Sequence, residues 1–322
     1  MIDRWKWNNR DFDRWKWNNR DFWPDSTKEE RRNMRVRIEE IVITPDMAAA
    51  MLATSAGNRH IREEQVAAYA RDMLSGRWFM TGDTIGFNAD GRLVDGHHRL
   101  EAVVASGVSL HTFAVYGIGD EAHGAIDTGI KRTQADEFGY RGEVNKHLLA
   151  AIVSNVWRYD LPGGPVTSSV PTRAELHYVL EQNPGIRSFT SLATSSFGSI
   201  TTGPLGAVAY IAAREVEVEE AENWLGRLKS DTGFEEGDPC LALRRYAASV
   251  KKRRIALSRI DWMALCIKSF NAYLAGTSVR NLSWRRGGKY PEKFPRIVNP
   301  YAVDDHVEEG VTEDAIAISG RA

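Results

Sequence analysis

The feature that most constrains this chain is a strand, a glycine turn and a helix centred on the string Asp95-Gly96-His97-His98-Arg99. The apolar pair Leu93-Val94 before the string predicts a strand, and the apolar spacing after it predicts a short helix that ends at Gly107. A strand that passes through glycine into a helix places several backbone N–H groups without intrahelical partners in one small concave site. The pattern is therefore typical of an anion-binding site.

The side chains of the string are suited to a phosphate ligand. The helix dipole contributes roughly half a positive charge at this end, and Gly96 permits a close approach of the backbone. Arg99 can donate two parallel hydrogen bonds to a phosphate, and His97 and His98 can donate as well. A basic helix start that is satisfied by a carboxylate would have the same sequence, so phosphate binding and a structural role both stay open at this point.

Three carboxylates near the string are candidate catalytic residues. Asp95 can orient Arg99, bind Mg²⁺ or act as a base, and it can equally be a plain cap of the helix. Glu101 lies one turn into the predicted helix, and Glu63 lies near an upstream Asn-Arg pair. We assign no metal ligand, because adjacent histidines on a helix cannot both face one ion and no third ligand lies at a supporting spacing.

Several further segments recur in a fixed order around the string: Asn58-Arg59, Ala70-Arg71-Asp72-Met73, Gly76-Arg77-Trp78 and Thr84-Ile85-Gly86-Phe87. Together with the string they cover about a quarter of the chain and resemble the ParB/sulfiredoxin superfamily. The wider chain is similar to uncharacterised ParB-like proteins carried by bacteriophages. The resemblance implies a mixed α/β domain whose Gly-x-x-Arg turn holds nucleotide phosphates. It assigns phosphate binding to Gly96, His97, His98 and Arg99, with Asn58 and Arg59 as the family's earlier box.

The turn departs from two well-defined branches of that superfamily. It differs from the Gly-Glu-Arg-Arg turn of the CTP-binding partition proteins, so the resemblance does not extend to CTP in particular. It also lacks the cysteine of the Gly-Cys-His-Arg turn of sulfiredoxin, which excludes sulfinic acid chemistry. The cofactor that the resemblance implies is a nucleoside triphosphate with Mg²⁺.

The periodicity of the chain changes near residue 143. Alternating and mixed patterns precede that point, whereas mostly helical patterns follow it, so we predict an α+β protein with a ParB/sulfiredoxin-like domain at 34–143 and an all-helical domain at 144–300. The decapeptide Asp3–Phe12 recurs without change as Asp13–Phe22. A ten-residue unit cannot bury a face of its own, so we expect residues 1–33 to form a disordered arm, and residues 301–322 to form an acidic tail.

Composition favours a folded, soluble protein. Hydrophobic residues make up 43% and charged residues 26% of the 322 residues, and no apolar run approaches the roughly 18 to 20 residues of a membrane span. No secretion signal is evident, so we expect a cytoplasmic protein, located in the host cytoplasm if it is phage-encoded, without a membrane partner. Cys240 and Cys266 have no metal-ligand or disulfide spacing, which favours buried core positions.

Charge is distributed unevenly although the net charge is only −1. Residues 215–238 carry a net charge of −7, whereas residues 241–296 carry +12 and include interleaved aromatic residues. A basic segment with aromatic residues is typical of nucleic-acid binding. The candidate nucleic-acid contacts are Lys251, Lys252, Arg253, Arg254, Arg285 and Arg286. The alternative is that the acidic block folds against the basic segment and neutralises it.

The leading hypothesis from sequence is a phage-type ParB-like protein. It would bind a nucleotide or nucleic-acid phosphate at the turn from Asp95 to Arg99 and contact DNA through its basic C-terminal half. The first alternative is a phosphotransferase or nucleotide hydrolase acting on a nucleotide or a modified base, with Arg99 and His97 on phosphate and one carboxylate handling the metal or the proton. A ParB-like nuclease ranks last, because the sequence contains no evident cluster of metal-binding carboxylates.

Overall fold

A computed structural model describes residues 36–55, 61–119, 133–165, 170–194, 197–230 and 232–302. The chain divides into two compact units, Met1–Pro184 and Gly185–Ala322. The sequence-based boundary near residue 143 falls inside the first unit. The duplicated arm and the part of the acidic tail beyond residue 302 lie outside the described residues.

The described part of the first unit combines one sheet with six helices. Its elements are β1 (Arg37–Ile43), α1 (Pro45–Ala53), α2 (Glu63–Leu74), β2 (Thr84–Asn88), β3 (Leu93–Asp95), α3 (His97–Ser106), β4 (Leu110–Ile118), α4 (Gln134–Tyr140), α5 (Lys146–Asp160) and α6 (Arg173–Gln182). The described elements of the second unit are α7 (Ile186–Leu192), α8 (Thr202–Glu215), α9 (Val218–Lys229), α10 (Pro239–Arg253) and α11 (Arg259–Leu274). The predicted α+β class is confirmed, and every described element after β4 is a helix.

The four strands form a mixed sheet in the order β1-β4-β2-β3. Strand β4 pairs antiparallel with β1 and parallel with β2, while β2 and β3 form an antiparallel hairpin. The hairpin turn is stabilised by the side chain of Asn88, whose Oδ1 accepts hydrogen bonds from the backbone N–H groups of Asp90 and Arg92. The Gly96 turn follows directly after β3, the second strand of this hairpin.

Helices α1, α2 and α3 bury their apolar faces in one core with the sheet. Ile43 of β1, Ile85 of β2 and Leu100 of α3 are fully buried in that core. Helix α1 begins with Thr44 as N-cap and Pro45 at the first helical position. The core therefore fixes α3, and with it the turn that precedes α3, against β2.

A polar contact joins α2 to α6 within the first unit. Arg71 Nε donates to Glu175 Oε1 at 2.8 Å, and Thr172 Oγ1 donates to Asp72 Oδ1 at 2.7 Å. Asp72 and Glu175 are both buried. These contacts join residues about one hundred positions apart, so α6, which follows residue 143, is held to the sheet-bearing part of the first unit.

The second unit is built around the buried helices α8 and α11. Trp224 of α9 packs edge to face on Phe270 of α11, with ring centroids 5.6 Å apart. Cys240 and Cys266 are buried and free, as the sequence predicts, and burial raises the pKa of the Cys240 thiol to about 12. In the part of the chain that the structure describes, no helix has the length and apolar character needed to cross a membrane.

Candidate functional site

The turn before α3 requires glycine for two reasons. Gly96 is the N-cap of α3 with φ 98°, a left-handed conformation that favours glycine. A Cβ atom at this position would lie 2.4 Å from Cδ1 of Ile85 on β2. The Gly96 carbonyl accepts the N–H groups of Arg99 and Leu100, each at 3.0 Å, so α3 begins at His97.

Arg99 is bound by the protein itself. Its Nη2 donates to the carbonyl oxygen of Thr84 at 2.8 Å and to Oδ2 of Asp95 at 3.0 Å. The side chain is only 13% exposed, and its buried Nη1 makes no hydrogen bond within the described residues. One half of the predicted phosphate fork is thus used to hold the turn against β2, which is the structural role that the sequence left open. The other half carries positive charge with no described acceptor.

The two histidines of the turn contact residues near the earlier box. His97 is 8% exposed, and its Nε2 lies 2.7 Å from Oγ of Ser55. His98 Nε2 accepts the backbone N–H of Arg62 at 3.1 Å, so this nitrogen acts as an acceptor in the observed geometry. Neither contact was predicted from the sequence, because a single serine and a backbone N–H group give no pattern.

Asn58 and Arg59, the predicted earlier box, lie outside the described residues. The described residues on both sides of the box, Ser55 and Arg62, contact the histidines of the turn. The structure therefore brings both ends of this segment to the Gly96 turn.

The three candidate catalytic carboxylates occupy different positions. Asp95 ends β3, is 22% exposed and forms the ion pair with Arg99. Glu101 is half-buried within α3, whereas Glu63 is exposed at the first position of α2. Of the three, only Asp95 is joined to the turn by a contact among the described residues. Among the described residues, no group of three His, Cys, Asp or Glu side chains is placed so that it could hold a metal ion.

A second candidate site lies where α10 ends and α11 begins. We call it the basic corner and define it by the exposed residues Lys251, Lys252, Arg253, Arg254, Arg259 and Arg286. Ser258 is the N-cap of α11, with Asp261 completing a capping box. Nη1 of Arg286 donates to Oγ of Ser258 at 3.2 Å. This bond brings a basic segment from 28 residues away to the corner, a juxtaposition that the sequence alone does not reveal.

Little acidic charge opposes the basic corner. Within the described ranges, no ion pair involves any residue from Lys251 to Arg254. The described ion pair between the acidic block and the basic segment is Glu236–Arg280, at 4.0 Å between side chains that are about 80% exposed. Such an exposed pair is weak. The acidic block therefore does not neutralise the corner through described contacts.

Arg285 differs from its neighbour Arg286. Its backbone N–H donates to Glu292 Oε1 at 3.1 Å, and its guanidinium lies 3.6 Å from the same carboxylate. Hydrogen bonding to Lys268, followed by the contacts with Arg285, lowers the pKa of the Glu292 carboxyl. Of these two predicted nucleic-acid contacts, Arg285 is paired with an acid and Arg286 is joined to the corner.

Comparisons with known proteins returned no match to a family model, a curated protein or a solved structure. The superfamily resemblance described above therefore stays a prediction.

Proposed function

We propose that this protein binds nucleic acid through the basic corner and holds a phosphate group at the turn from Asp95 to Arg99. The phosphate belongs to a nucleotide, with Mg²⁺ if it is a triphosphate, or to the nucleic acid itself. In this proposal the protein is a phage-type ParB-like protein, and residues 34–143 have the ParB/sulfiredoxin-like fold. DNA is the proposed polymer.

The observation that carries the proposal is the joining of two basic segments at one exposed corner. Cations at the end of a helix also interact with its dipole, but that effect acts only within the last turn of α10. It does not account for Arg259 or for Arg286, which reaches the corner through Ser258. Exposed cations without acidic partners bind phosphates and release condensed counterions, so each contact adds about −0.9 to the slope of log K against log salt.

The phosphate site at the turn is supported by its backbone geometry. Gly96 and the first turn of α3 provide N–H groups at the N-terminus of this ten-residue helix. Because Nη2 of Arg99 is bound to Asp95 and Thr84, we propose that the phosphate is held mainly by backbone N–H groups, with Arg99 as the adjacent charge. The contacts of Ser55 and Arg62 with the two histidines bring the described flanks of the earlier box to this site.

The second candidate function is a phosphotransferase or nucleotide hydrolase. The observation that favours it is Asp95, a partly exposed carboxylate adjoining the proposed phosphate position. Its ion pair with Arg99 must loosen before Asp95 can bind Mg²⁺ or accept a proton. A nuclease ranks lowest, and no described contact supports it.

DNA binding is tested by fluorescence anisotropy of a labelled duplex between about 50 and 200 mM salt, a range over which phosphate contacts change affinity strongly. We expect wild-type protein to bind with a negative salt slope, and Arg253→Glu to weaken binding of every duplex. Arg92→Glu is the matched control, because Arg92 is exposed on the β2–β3 hairpin and the net charge changes equally. Absence of salt-dependent binding by the wild type would remove the DNA proposal.

Phosphate binding at the turn is tested separately by a thermal-shift screen against nucleoside mono-, di- and triphosphates with and without Mg²⁺. A ligand at one hundred times its Kd stabilises the folded state by about 2.7 kcal/mol. Inorganic phosphate is the comparison ligand. A stabilising nucleotide that is then hydrolysed or transferred would favour the enzyme, and stabilisation without turnover would favour binding alone.

A further inference from the structure

The end of helix α10 differs from three other helix ends in the same molecule. Helices α2, α4 and α11 each end with a left-handed glycine, at Gly76, Gly142 and Gly276. At each of these ends the glycine N–H bonds three residues back, and the next N–H bonds five residues back. Helix α10 has the same pair of bonds, from Arg254 to Lys251 and from Ile255 to Val250, but its left-handed residue is Arg254, with φ 54°.

An arginine at this position is conformationally unfavourable. A Cβ atom makes the left-handed region costly for L-residues, which is why glycine is the usual residue at such helix ends and asparagine the common substitute. Among the described residues, the non-glycine residues with positive φ are Asn145 and Arg254. Asn145 fits that preference, whereas Arg254 does not.

Contacts within the protein do not compensate for this cost. Arg254 is exposed, and its side chain makes no hydrogen bond or ion pair with any described residue. A favourable interaction with the dipole of α10 is screened by solvent at an exposed site, and three cations already occupy the last turn of that helix. Stability of the fold therefore favours glycine at this position over arginine.

The neighbouring helix limits what the basic corner can contact. Residues Trp262 to Ile267 of α11 are all buried, a run longer than one helical turn of 3.6 residues. Between Trp262 and Ile267, α11 therefore exposes no face that could enter a groove and contact base edges. The side chains that the corner exposes are chiefly cationic, and cations without base-edge partners bind the phosphate backbone.

We infer that the corner binds the sugar-phosphate backbone without reading sequence, and that Arg254 is one of its phosphate contacts, kept in place of glycine for that purpose. The inference rests on the proposed nucleic-acid function. It adds the class of contact and identifies a residue at which binding and folding stability favour different side chains.

The test replaces Arg254 by glycine and measures stability and binding on the same preparation. We expect Arg254→Gly to raise the Tm by about 2 °C, since the strain is removed, and to reduce the magnitude of the salt slope by about 0.9, since one phosphate contact is lost. Arg254→Lys keeps a charge and a Cβ atom, so we expect its Tm and salt slope to stay close to the wild-type values.

Gly276→Arg is the reciprocal control. It places arginine in the same bonding motif at the end of α11, where a Cβ atom meets nothing within 4 Å. We expect a Tm lowered by about the amount that Arg254→Gly raises it, with DNA binding unchanged. Duplexes of equal length but different sequence, and one single strand, complete the measurement. Similar affinities for the duplexes are expected, and the single strand shows whether the backbone must be double-stranded.

The outcomes separate the inference from the proposed function. If Arg253→Glu weakens binding while Arg254→Gly leaves the salt slope unchanged, Arg254 is not a contact and the inference fails alone. A lower Tm for Arg254→Gly would also overturn it, because arginine would then stabilise the helix end. A tenfold preference for one duplex sequence would overturn backbone-only binding. No salt-dependent binding by the wild type would remove both the inference and the proposed function.

Discussion

A methyl group at Gly96 would lie 2.4 Å from Cδ1 of Ile85, a separation that real Cβ contacts do not tolerate. Strand β2 and the start of α3 therefore lie so close together that there is no room for a side chain at Gly96. Ile85 is fully buried, so it has little room to move away. The close approach fixes the N-terminus of α3 relative to the sheet, and the proposed phosphate site depends on that position.

We expect Gly96→Ala to destabilise the protein by about 2 to 4 kcal/mol, because left-handed strain and overpacking against Ile85 both contribute. Gly107→Ala is the matched control at the other end of α3. It shares the left-handed conformation, with φ 68°, but a Cβ atom there meets nothing within 4 Å. Its expected cost is about 1 kcal/mol. Urea unfolding of the two variants measures the difference, and equal costs would show that Ile85 moves aside.

Arg99 and Asp95 should show measurable coupling. We expect Arg99→Ala to cost about 2 to 3 kcal/mol of stability, because the bonds to Asp95 and Thr84 are both lost. A double-mutant cycle with Asp95→Asn should give a coupling energy of about 1 kcal/mol.

If the Arg99 side chain also contacts the ligand, Arg99→Ala should weaken binding of the phosphate ligand found in the screen by roughly 2 to 4 kcal/mol, with Arg99→Lys recovering only part of that binding. A stable Arg99→Ala protein with normal ligand binding would contradict both roles.

The local geometry of the turn could be predicted from sequence, because its causes are local. A strand, a left-handed glycine and a helix start are each encoded within a few neighbouring residues. One of the two acceptors of Arg99 is the Thr84 carbonyl, fifteen positions away, and His97 contacts Ser55 across forty-two positions. Such pairs are determined by the packing of α1 and the sheet against α3, for which the sequence has no short-range signal.

The extent of the first unit could not be predicted from periodicity for the same reason. A change of periodicity near residue 143 predicts a boundary, but periodicity reports local structure and not which elements touch. The bonds from Arg71 to Glu175 and from Thr172 to Asp72 hold α6 to α2. Charge counts likewise identify the basic segment, whereas the approach of Arg286 to Ser258 depends on how the chain folds back.

Asp72 should make stability depend on pH in an unusual direction. Desolvation by burial is the main cause that raises the pKa of this carboxyl above 3.8, although the hydrogen bond from Thr172 opposes the rise. A raised folded-state pKa gives stability that is present below about pH 3.8 and is lost as pH rises through the folded value. At neutral pH the buried carboxylate therefore destabilises the fold.

We expect Asp72→Asn to raise the Tm at pH 7 by about 1 to 3 °C, since asparagine still accepts the Thr172 hydroxyl, and to lose this advantage below about pH 3.8. Asp136→Asn should behave oppositely. Hydrogen bonds from the Thr133 backbone, then from its side chain, lower the pKa of Asp136. Its contribution is present above pH 3.8 and lost as pH falls. Melting curves across this range check both signs, and a lower Tm for Asp72→Asn at pH 7 would contradict the first.

Arg286 should contribute to DNA binding because of where the fold places it and not because of its charge alone. Its guanidinium donates a hydrogen bond to Ser258 at the basic corner, whereas Arg280 is also exposed, belongs to the same basic segment and lies 4.0 Å from Glu236. Each variant, Arg286→Ala and Arg280→Ala, removes one positive charge. We expect Arg286→Ala to reduce the magnitude of the salt slope by about 0.9 and Arg280→Ala to leave it unchanged. Neither change should lower the Tm by more than about 2 °C, because both side chains are exposed and Arg286→Ala loses only one hydrogen bond to the Ser258 N-cap. Equal effects of the two variants on DNA binding would show that net charge, and not the corner, governs the interaction.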